Sequence, residues 1–169
     1  MWQAAAPGGT MGCMRRRRWP AAAPPATGGV VVYGPAALAT TRDLTLRLAE
    51  VVAHPAGLEL RIELTATGRT ADRARHETRP LDDPDDPSAR WSYLAVHVRV
   101  DDVVGEADPS HLQSTSRVAT SETSEYHTEP RYWVGAYPES GVITLTVGWP
   151  EIGLHARTDV IRLGPNPAR

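Results

Sequence analysis

A histidine and a glutamate two positions apart, His127 and Glu129, have the types and spacing of a metal-ligating pair. Alternate side chains of an extended strand lie on the same face of a sheet, so both groups are expected to face one way. Imidazole nitrogen and carboxylate oxygen are common ligands of divalent transition metals. With His111 or His155 as a further ligand, the pair suggests a metal centre as one hypothesis for this chain.

A Ser/His/Asp set and a lone histidine are weaker indications of a catalytic site. Ser110 and His111, with Asp108 nearby, have the types of a catalytic triad, but closeness in sequence does not give triad geometry. His97 falls on the polar face of an alternating segment, which is typical of a hydrated side chain. Neither group predicts a reaction.

Two runs of like charge lie in the chain. Arginines near the N-terminus can bind nucleic acid or a membrane surface weakly through counterion release, but no second basic cluster accompanies them. Aspartates in a later segment offer oxygen ligands for Ca²⁺, yet prolines interrupt the spacing and the calcium-loop signature is absent. The runs are Arg15, Arg16, Arg17 and Arg18, and Asp82, Asp83, Asp85 and Asp86.

The composition and the missing motifs exclude several classes of protein. All 18 basic side chains are Arg, the usage expected of a GC-rich genome, so Arg in place of Lys is not evidence for phosphate recognition. The formal charge of −2 gives no general attraction to nucleic acid. Cys13 is the only cysteine, which excludes an intrachain disulfide and a cysteine-based zinc site. The phosphate loop, the Gly-x-Ser-x-Gly elbow, the His-Glu-x-x-His helix and the dinucleotide fingerprint are absent.

From Asp43 onwards, apolar and polar residues alternate with period two, which predicts strands with one buried face. The first two predicted strands flank a turn at residues 53–57, which indicates a hairpin. In the register that we expect, the numbers of two directly opposed residues add up to 110. The one mismatch is Glu50 opposite Leu60, where a bulge or the sheet margin is expected. The compatible pairs are Val52 with Leu58, Leu48 with Ile62, Leu46 with Leu64, Leu44 with Ala66, Arg47 with Glu63 and Thr45 with Thr65.

The same alternation predicts strands within residues 91–102, 132–137, 142–149 and 154–163. Trp149 is in phase with the core side of its strand, and Pro150 cannot donate to a ladder. The Trp-Pro pair is therefore predicted to end the strand and to close one end of the core.

The remaining residues divide the chain into one domain and two terminal segments. Residues 1–29, rich in Ala, Gly, Pro and Arg, are predicted to be disordered; residues 30–163 form the β-sandwich domain and residues 164–169 a tail. Within the domain, residues 68–90 predict a long loop, and residues 110–129 a loop with a short edge strand near Val118.

No run approaches the roughly 18 apolar residues of a transmembrane helix, and the predicted location is the cytoplasm. Export is the alternative, with residues 15–18 as the basic region of a signal peptide and residues 37–39 as its cleavage site.

Two long stretches resemble a family of small proteins from GC-rich actinobacteria. Its pattern runs from a Val/Ala-x-Pro-x-Gly hairpin to Tyr-Trp-x-x-x-x-Pro-x-x-Gly and a final Trp-Pro-x-x-Gly. The matching stretches are LATTRDLTLRLAEVVAHPAGLEL and YWVGAYPESGVITLTVGWPEIGL, within roughly residues 36–163. The resemblance implies a β-sandwich whose first strand includes residues 38–41, and it implies no activity.

These patterns predict an all-β fold, an antiparallel two-sheet sandwich of about seven strands, immunoglobulin-like, with a disordered N-terminal segment. The function predicted first is a non-enzymatic binding or interaction domain without a cofactor, with a protein partner or self-association at a sheet edge. The alternatives are a cupin-like metal-dependent enzyme using His127 and Glu129, and weak nucleic-acid or membrane-surface association through the four arginines. The aromatic residues predicted to contact a partner are Trp91, Tyr132, Trp133 and Tyr137.

Overall fold

A computed structural model describes residues 17–20, 22–82, 92–111, 114–118 and 124–168. These residues form thirteen strands, one α-helix and one short 3-10 turn. The strands are β1 (Arg17–Arg18), β2 (Val30–Tyr33), β3 (Ala36–Thr40), β4 (Leu44–His54), β5 (Gly57–Thr67), β6 (Ala95–Val100), β7 (Val103–Ala107), β8 (Pro109–His111), β9 (Ser114–Val118), β10 (Ser124–Thr128), β11 (Arg131–Val134), β12 (Val142–Trp149) and β13 (Leu154–Arg162). The helix is α1 (Gly68–Asp82), and the 3-10 turn is Pro150–Ile152.

The strands form two sheets. One has five strands in the order β1-β7-β6-β12-β13, and the other has eight, with β2-β4-β5-β10-β9 as its main path, β3 paired with β4, and β11 paired with β5 and β8. Only β1, which runs parallel to β7, departs from antiparallel pairing among the described strands. The predicted antiparallel two-sheet sandwich is confirmed, although short strands raise the number above seven.

The core lies between the inner faces of the two sheets, where period-two alternation places the apolar side chains. Trp149 is fully buried there, and its ring lies 5.2 Å from that of Tyr93 and 6.2 Å from that of Tyr126. The Trp149 indole N–H donates to Ser92 Oγ at 2.8 Å, which satisfies its only polar atom. Pro150 then begins the 3-10 turn. Trp149 therefore closes one end of the core, as predicted.

β4 and β5 form the predicted hairpin, with the expected register over its open end. Residues 44–48 lie opposite residues 62–66 in all five expected pairs. The apolar members of these pairs are buried in the core, while the polar members face outward. Hydrophobic alternation was therefore sufficient to set the register in this part of the sheet.

A bulge in β4 between Leu48 and Glu50 changes the register beyond this point. Glu50 lies opposite Arg61 instead of Leu60, and its carboxylate accepts a 2.9 Å hydrogen bond from the guanidinium. The expected pairing of Val52 with Leu58 is wrong, because the shift places Val52 opposite Glu59. The extra residue thus replaces a charge-to-apolar mismatch with an ion pair.

The prediction of a loop over residues 68–90 is wrong for the first fifteen of these residues, which form α1. Ala71, Ala74 and Thr78 form the buried stripe of the helix at the spacing of one helical face. The Thr78 hydroxyl donates to the Ala74 carbonyl at 2.8 Å, so it is satisfied within the helix. Small and polar side chains give little hydropathy contrast, which concealed the helical period. Residues 83–90 lie outside the described residues.

Strands also occupy most of the segment predicted as a loop over residues 110–129. β9, which ends at Val118, is the edge strand expected there, but β10 beside it is an addition. β10 pairs with both β9 and β5. Its buried inner residues are Tyr126 and Thr128, a pair too short and too polar to produce a clear alternation.

Residues 17–20 pack on the sandwich, which corrects the prediction of disorder for this part of residues 1–29. The Trp19 amide donates to the Glu106 carbonyl at 2.8 Å, and β1 pairs with β7. The Trp19 side chain is 8% exposed, and its indole N–H donates to the Val98 carbonyl at 3.2 Å. A single large apolar side chain produces no periodic pattern, so its burial is not evident from the sequence. Residues 1–16 lie outside the described residues.

Asp101, in the turn between β6 and β7, ties this turn to the one that precedes β12. Its carboxylate accepts hydrogen bonds from the Glu139 amide at 2.9 Å and from the Ser140 hydroxyl at 2.8 Å. The backbone hydrogen bond from Glu139, followed by the hydroxyl of Ser140, lowers the pKa of Asp101 below its ordinary value. The two turns at this rim are thereby held together.

We expect the Asp101→Asn variant to be less stable than the wild type at neutral pH, by a margin that shrinks in acid. A carboxyl with a lowered folded-state pKa contributes its full stability above the ordinary pKa of 3.8 and loses that contribution as the pH falls through the folded value. Urea denaturation of both proteins at about pH 7 and about pH 3 measures the margin. An equal margin at both pH values would contradict the assignment.

Candidate functional site

Polar side chains cover the outer face of the eight-stranded sheet, the face directed away from the core. On β5 this face carries Glu59, Arg61, Glu63 and Thr65, which alternate with the buried apolar residues. β10 and β11 both pair with β5, one along each half of the strand. Two groups of ionisable residues therefore meet on this face.

The first group consists of Glu63, His127 and Glu129. One ligand atom from each of the three lies within 4.8 Å of the others. His127 is opposite Thr65 in the pairing of β10 with β5, and Glu129 follows β10 directly. The predicted pair of His127 and Glu129 is thus brought together, and Glu63 from the neighbouring strand completes the cluster.

Both ring nitrogens of His127 have partners. Nδ1 lies 3.1 Å from Thr65 Oγ1, and Nε2 lies 2.9 Å from Glu129 Oε1. In the neutral ring, an Nε2 proton donates to the carboxylate while the Thr65 hydroxyl donates to Nδ1. A metal on Nε2 requires the proton on Nδ1, where the rotated Thr65 hydroxyl accepts it. Thr65 therefore orients the ring in either state, as outer-shell partners of ligands do.

The cluster has an imidazole and two carboxylates, a donor set that suits a divalent first-row transition metal. His127 and Glu129 are 34% and 62% exposed at their side chains, so water can reach the cluster. Glu63 also lies 3.6 Å from Arg47, which offsets part of its charge. Three protein ligands leave coordination positions for water or for a second ligand.

The second group is centred on Glu59, a carboxylate that is only 3% exposed. Arg61 donates to both of its oxygens at 3.1 Å and to Glu50 at 2.9 Å. These contacts, first the hydrogen bond to Glu59, raise the pKa of Arg61 above its ordinary value. Arg131 lies 3.8 Å from Glu59 Oε1, the oxygen that also accepts from Arg61 Nε. A buried carboxylate thus holds two guanidinium groups on the outer face.

His54 and Trp133 lie next to Glu59 at the closed end of the hairpin. His54 Nε2 is 3.8 Å from Glu59, and neither ring nitrogen has a hydrogen-bond partner among the described residues. The Trp133 ring meets the His54 ring edge to face at 5.6 Å. The Asn166 amide donates to the His54 carbonyl at 3.1 Å, so the predicted tail packs on this end.

The aromatic residues predicted to contact a partner lie mostly within the protein. Tyr132 is fully buried and its hydroxyl donates to the Leu94 carbonyl at 3.2 Å; burial raises its pKa well above the ordinary value. Trp133 is buried, and Tyr137 is half-buried with its hydroxyl donating to Gly164. Trp91 lies outside the described residues. Two of the four, Tyr132 and Trp133, are therefore buried in the fold.

Two of the other candidate catalytic residues, Ser110 and Asp108, make hydrogen bonds within the fold. The Ser110 hydroxyl donates to the Arg131 carbonyl at 3.0 Å, while Asp108 accepts two hydrogen bonds from Arg18. The side chain of His111 lies outside the described residues. His155 is on β13 of the five-stranded sheet, whereas His127 is on the eight-stranded sheet. The prediction of His155 as a ligand is therefore wrong, and among the described residues Glu63 takes its place in the cluster.

Only part of the predicted basic arm is described. Arg18 forms ion pairs with Asp108 at 2.8 Å and Glu106 at 3.6 Å, so its charge is offset within the fold. Arg15 and Arg16 lie outside the described residues, as does the side chain of Arg17. Of the described helices, none has both the length and the apolar character needed to cross a membrane.

The chain matches no family model, no curated protein and no solved structure. The resemblance to actinobacterial proteins and the immunoglobulin-like arrangement therefore stay predictions.

Proposed function

We infer that this protein is a non-enzymatic binding domain and that the ligand bound on its outer face is a divalent transition-metal ion. Glu63, His127 and Glu129 are the proposed ligands. The observation that supports this function is the convergence of their three ligand atoms within 4.8 Å, from two paired strands and the residue after them.

The strand framework supports the proposal further. β5 and β10 are hydrogen-bonded neighbours, so two of the ligands are held on rigid elements rather than on loops. Thr65 fixes the His127 ring from the side opposite the carboxylate. A metal on Nε2 also relieves the close approach of Glu63 and Glu129, two like charges.

We expect the untagged full chain to bind one Zn²⁺ ion, measured by isothermal titration calorimetry after treatment with a chelator. His127→Ala removes the nitrogen ligand and should weaken binding by more than about a hundredfold, while loss of the outer-shell hydroxyl in Thr65→Val should weaken it about tenfold. Binding should also weaken as the pH falls, because protons compete for the imidazole and the carboxylates.

The matched control is His155→Ala, which removes an exposed histidine from the other sheet. This variant should bind Zn²⁺ as the wild type does. Equal losses in His127→Ala and His155→Ala would assign the binding to scattered surface histidines and overturn the proposal, as would a wild type that binds no metal.

A metal-dependent enzyme using the same residues is the second candidate. It is favoured by the open coordination positions that three protein ligands leave on the ion, since catalytic zinc sites have this arrangement. Hydrolysis of an activated ester that depends on Zn²⁺ and is lost in His127→Ala would support this candidate. Bound metal without such turnover would favour the binding domain.

Association with a protein partner or a second copy remains a further proposal, with β13 as the exposed edge. β13 pairs only with β12 in the described sheet, and its Val160 is exposed. Concentration-dependent dimerisation that Val160→Arg abolishes, measured by analytical ultracentrifugation, would support it.

A further inference from the structure

A groove of about 210 Å³ lies beside the proposed metal ligands on the outer face. Glu63 and Glu129 line one part of it, and Glu50, Arg61 and Arg131 supply the other charged walls. The groove therefore joins the two groups of ionisable residues described above. A ligand bound in it would touch both the metal centre and the guanidinium groups.

The two arginines of the groove differ in how many hydrogen bonds their guanidinium groups make. Arg61 makes three hydrogen bonds to Glu59 and Glu50, which engage all of its nitrogen atoms. The Arg131 guanidinium makes no hydrogen bond to a described residue, and its ion pair with Glu59 is 3.8 Å long. This separation is longer than a hydrogen bond, so Glu59 holds Arg131 by charge attraction alone.

The fold nevertheless fixes the position of the Arg131 side chain. It lies opposite Arg61 in the pairing of β11 with β5, and the buried charge of Glu59 attracts it toward the sheet. Its side chain is 48% exposed. A planar fork of N–H donors is thus presented to the groove, and such a fork matches a carboxylate with two parallel hydrogen bonds.

The charge of the groove depends on the metal. Three carboxylates and two guanidinium groups line it, and their ion-pair partners Glu59 and Arg47 add one charge of each sign, so it carries one net negative charge without a metal. A bound divalent ion changes this to one net positive charge. The empty groove repels an anion, and the loaded groove attracts it.

We propose that the metal-loaded groove binds a small organic carboxylate, with the metal ion and Arg131 as its two anchors. The inference rests on the proposed function, since the metal supplies both the positive charge and the open coordination positions. Arg131 supplies parallel N–H donors for one carboxylate group. A dicarboxylate has a second carboxylate for the metal ion, whereas a tetrahedral anion such as sulfate carries its charge on a single centre.

The test is a titration of succinate, and separately of sulfate, into the full chain loaded with one equivalent of Zn²⁺. Succinate should bind the zinc-loaded protein at least about tenfold more tightly than the metal-free protein, and more tightly than sulfate. In Arg131→Gln, succinate binding should weaken by about tenfold to a hundredfold while Zn²⁺ binding is unchanged.

Arg157→Gln is the matched control. Arg157 is also an exposed arginine with one long ion pair, 3.9 Å from Asp159, but it lies on the five-stranded sheet. Its substitution should leave succinate binding intact.

The failures of the two proposals are distinguishable. A wild type that binds Zn²⁺ but not succinate overturns the carboxylate site and leaves the metal site standing, whereas no Zn²⁺ binding overturns both. Succinate binding that is independent of zinc, no tighter than that of sulfate, or equally reduced in Arg131→Gln and Arg157→Gln also overturns the carboxylate site.

Discussion

Replacing Arg61 with methionine is expected to lower the free energy of unfolding by about 3 kcal/mol. The loss arises at Glu59, which is 3% exposed and accepts two 3.1 Å hydrogen bonds from Arg61. Without Arg61, no described residue donates a hydrogen bond to this buried carboxylate, and removing one partner of a buried ion pair costs about 3–5 kcal/mol. The lower end applies because Arg61 is 36% exposed and Arg131 remains 3.8 Å away.

Arg47→Met provides the matched comparison on the same outer face. Arg47 pairs with Glu63 at 3.6 Å, but both side chains are far more exposed than Glu59. Exposed pairs contribute about 0–1 kcal/mol, so this variant should be nearly as stable as the wild type. Urea denaturation in the presence of a chelator measures both variants without a contribution from bound metal.

A double variant tests whether the loss of stability comes from the Glu59 carboxylate that has lost its hydrogen-bond donor. Glu59→Leu combined with Arg61→Met replaces the pair by apolar groups, and such replacement of buried pairs is often neutral. We expect it to recover most of the stability lost in Arg61→Met. If the double variant is less stable than the single one, or if Arg61→Met costs no more than Arg47→Met, the account of Glu59 is wrong.

The bulge at Glu50 shows how far alternation determines a sheet. Five pairs of the β4–β5 hairpin follow from placing apolar residues on one face, because a slip of one residue would invert that face. The mismatch of Glu50 with Leu60 correctly marked the point where the simple register fails. Sequence alone did not choose between a bulge and the sheet margin, since the choice depends on Arg61 and Glu59 across the strand.

The elements that were missed have weak apolar patterns for identifiable reasons. α1 buries two alanines and a threonine, whose small side chains suit close packing but give little hydropathy signal. β10 owes its place to pairing with β5 and β9 rather than to its own composition. Tertiary contacts determined both elements, and local propensity is a poor guide in such cases.

The candidate site was predicted in part. The part that could not be predicted depends on which strands pair with each other. Period two correctly placed His127 and Glu129 on one face, because that relation is local. Glu63 was predicted as the partner of Arg47 in the hairpin, but no local rule gives the pairing of β5 with β10. His155 was expected as a partner from residue type alone, which does not reveal that its strand belongs to the other sheet.

Replacing Trp19 with alanine is expected to lower the free energy of unfolding by about 3–5 kcal/mol, the usual range for a buried aromatic residue in a core. Trp19 is 8% exposed and belongs to the same core as Val98 and Leu94. Its removal leaves a cavity beneath β7 and a Val98 carbonyl without the indole donor. The Trp19→Phe variant, which keeps most of the buried area, should lose much less.

The Trp19 experiment decides whether residues 17–20 are part of the domain. Arg18→Gln is the control, since Arg18 is 62% exposed and its pairs with Asp108 and Glu106 are at the surface; it should cost no more than about 1 kcal/mol. Denaturation curves of the two variants should therefore separate widely, because hydrophobic burial and not surface charge attaches this segment to β7. If Trp19→Ala unfolds at the same urea concentration as Arg18→Gln, residues 17–20 contribute nothing to the core and a domain beginning near Val30 is correct.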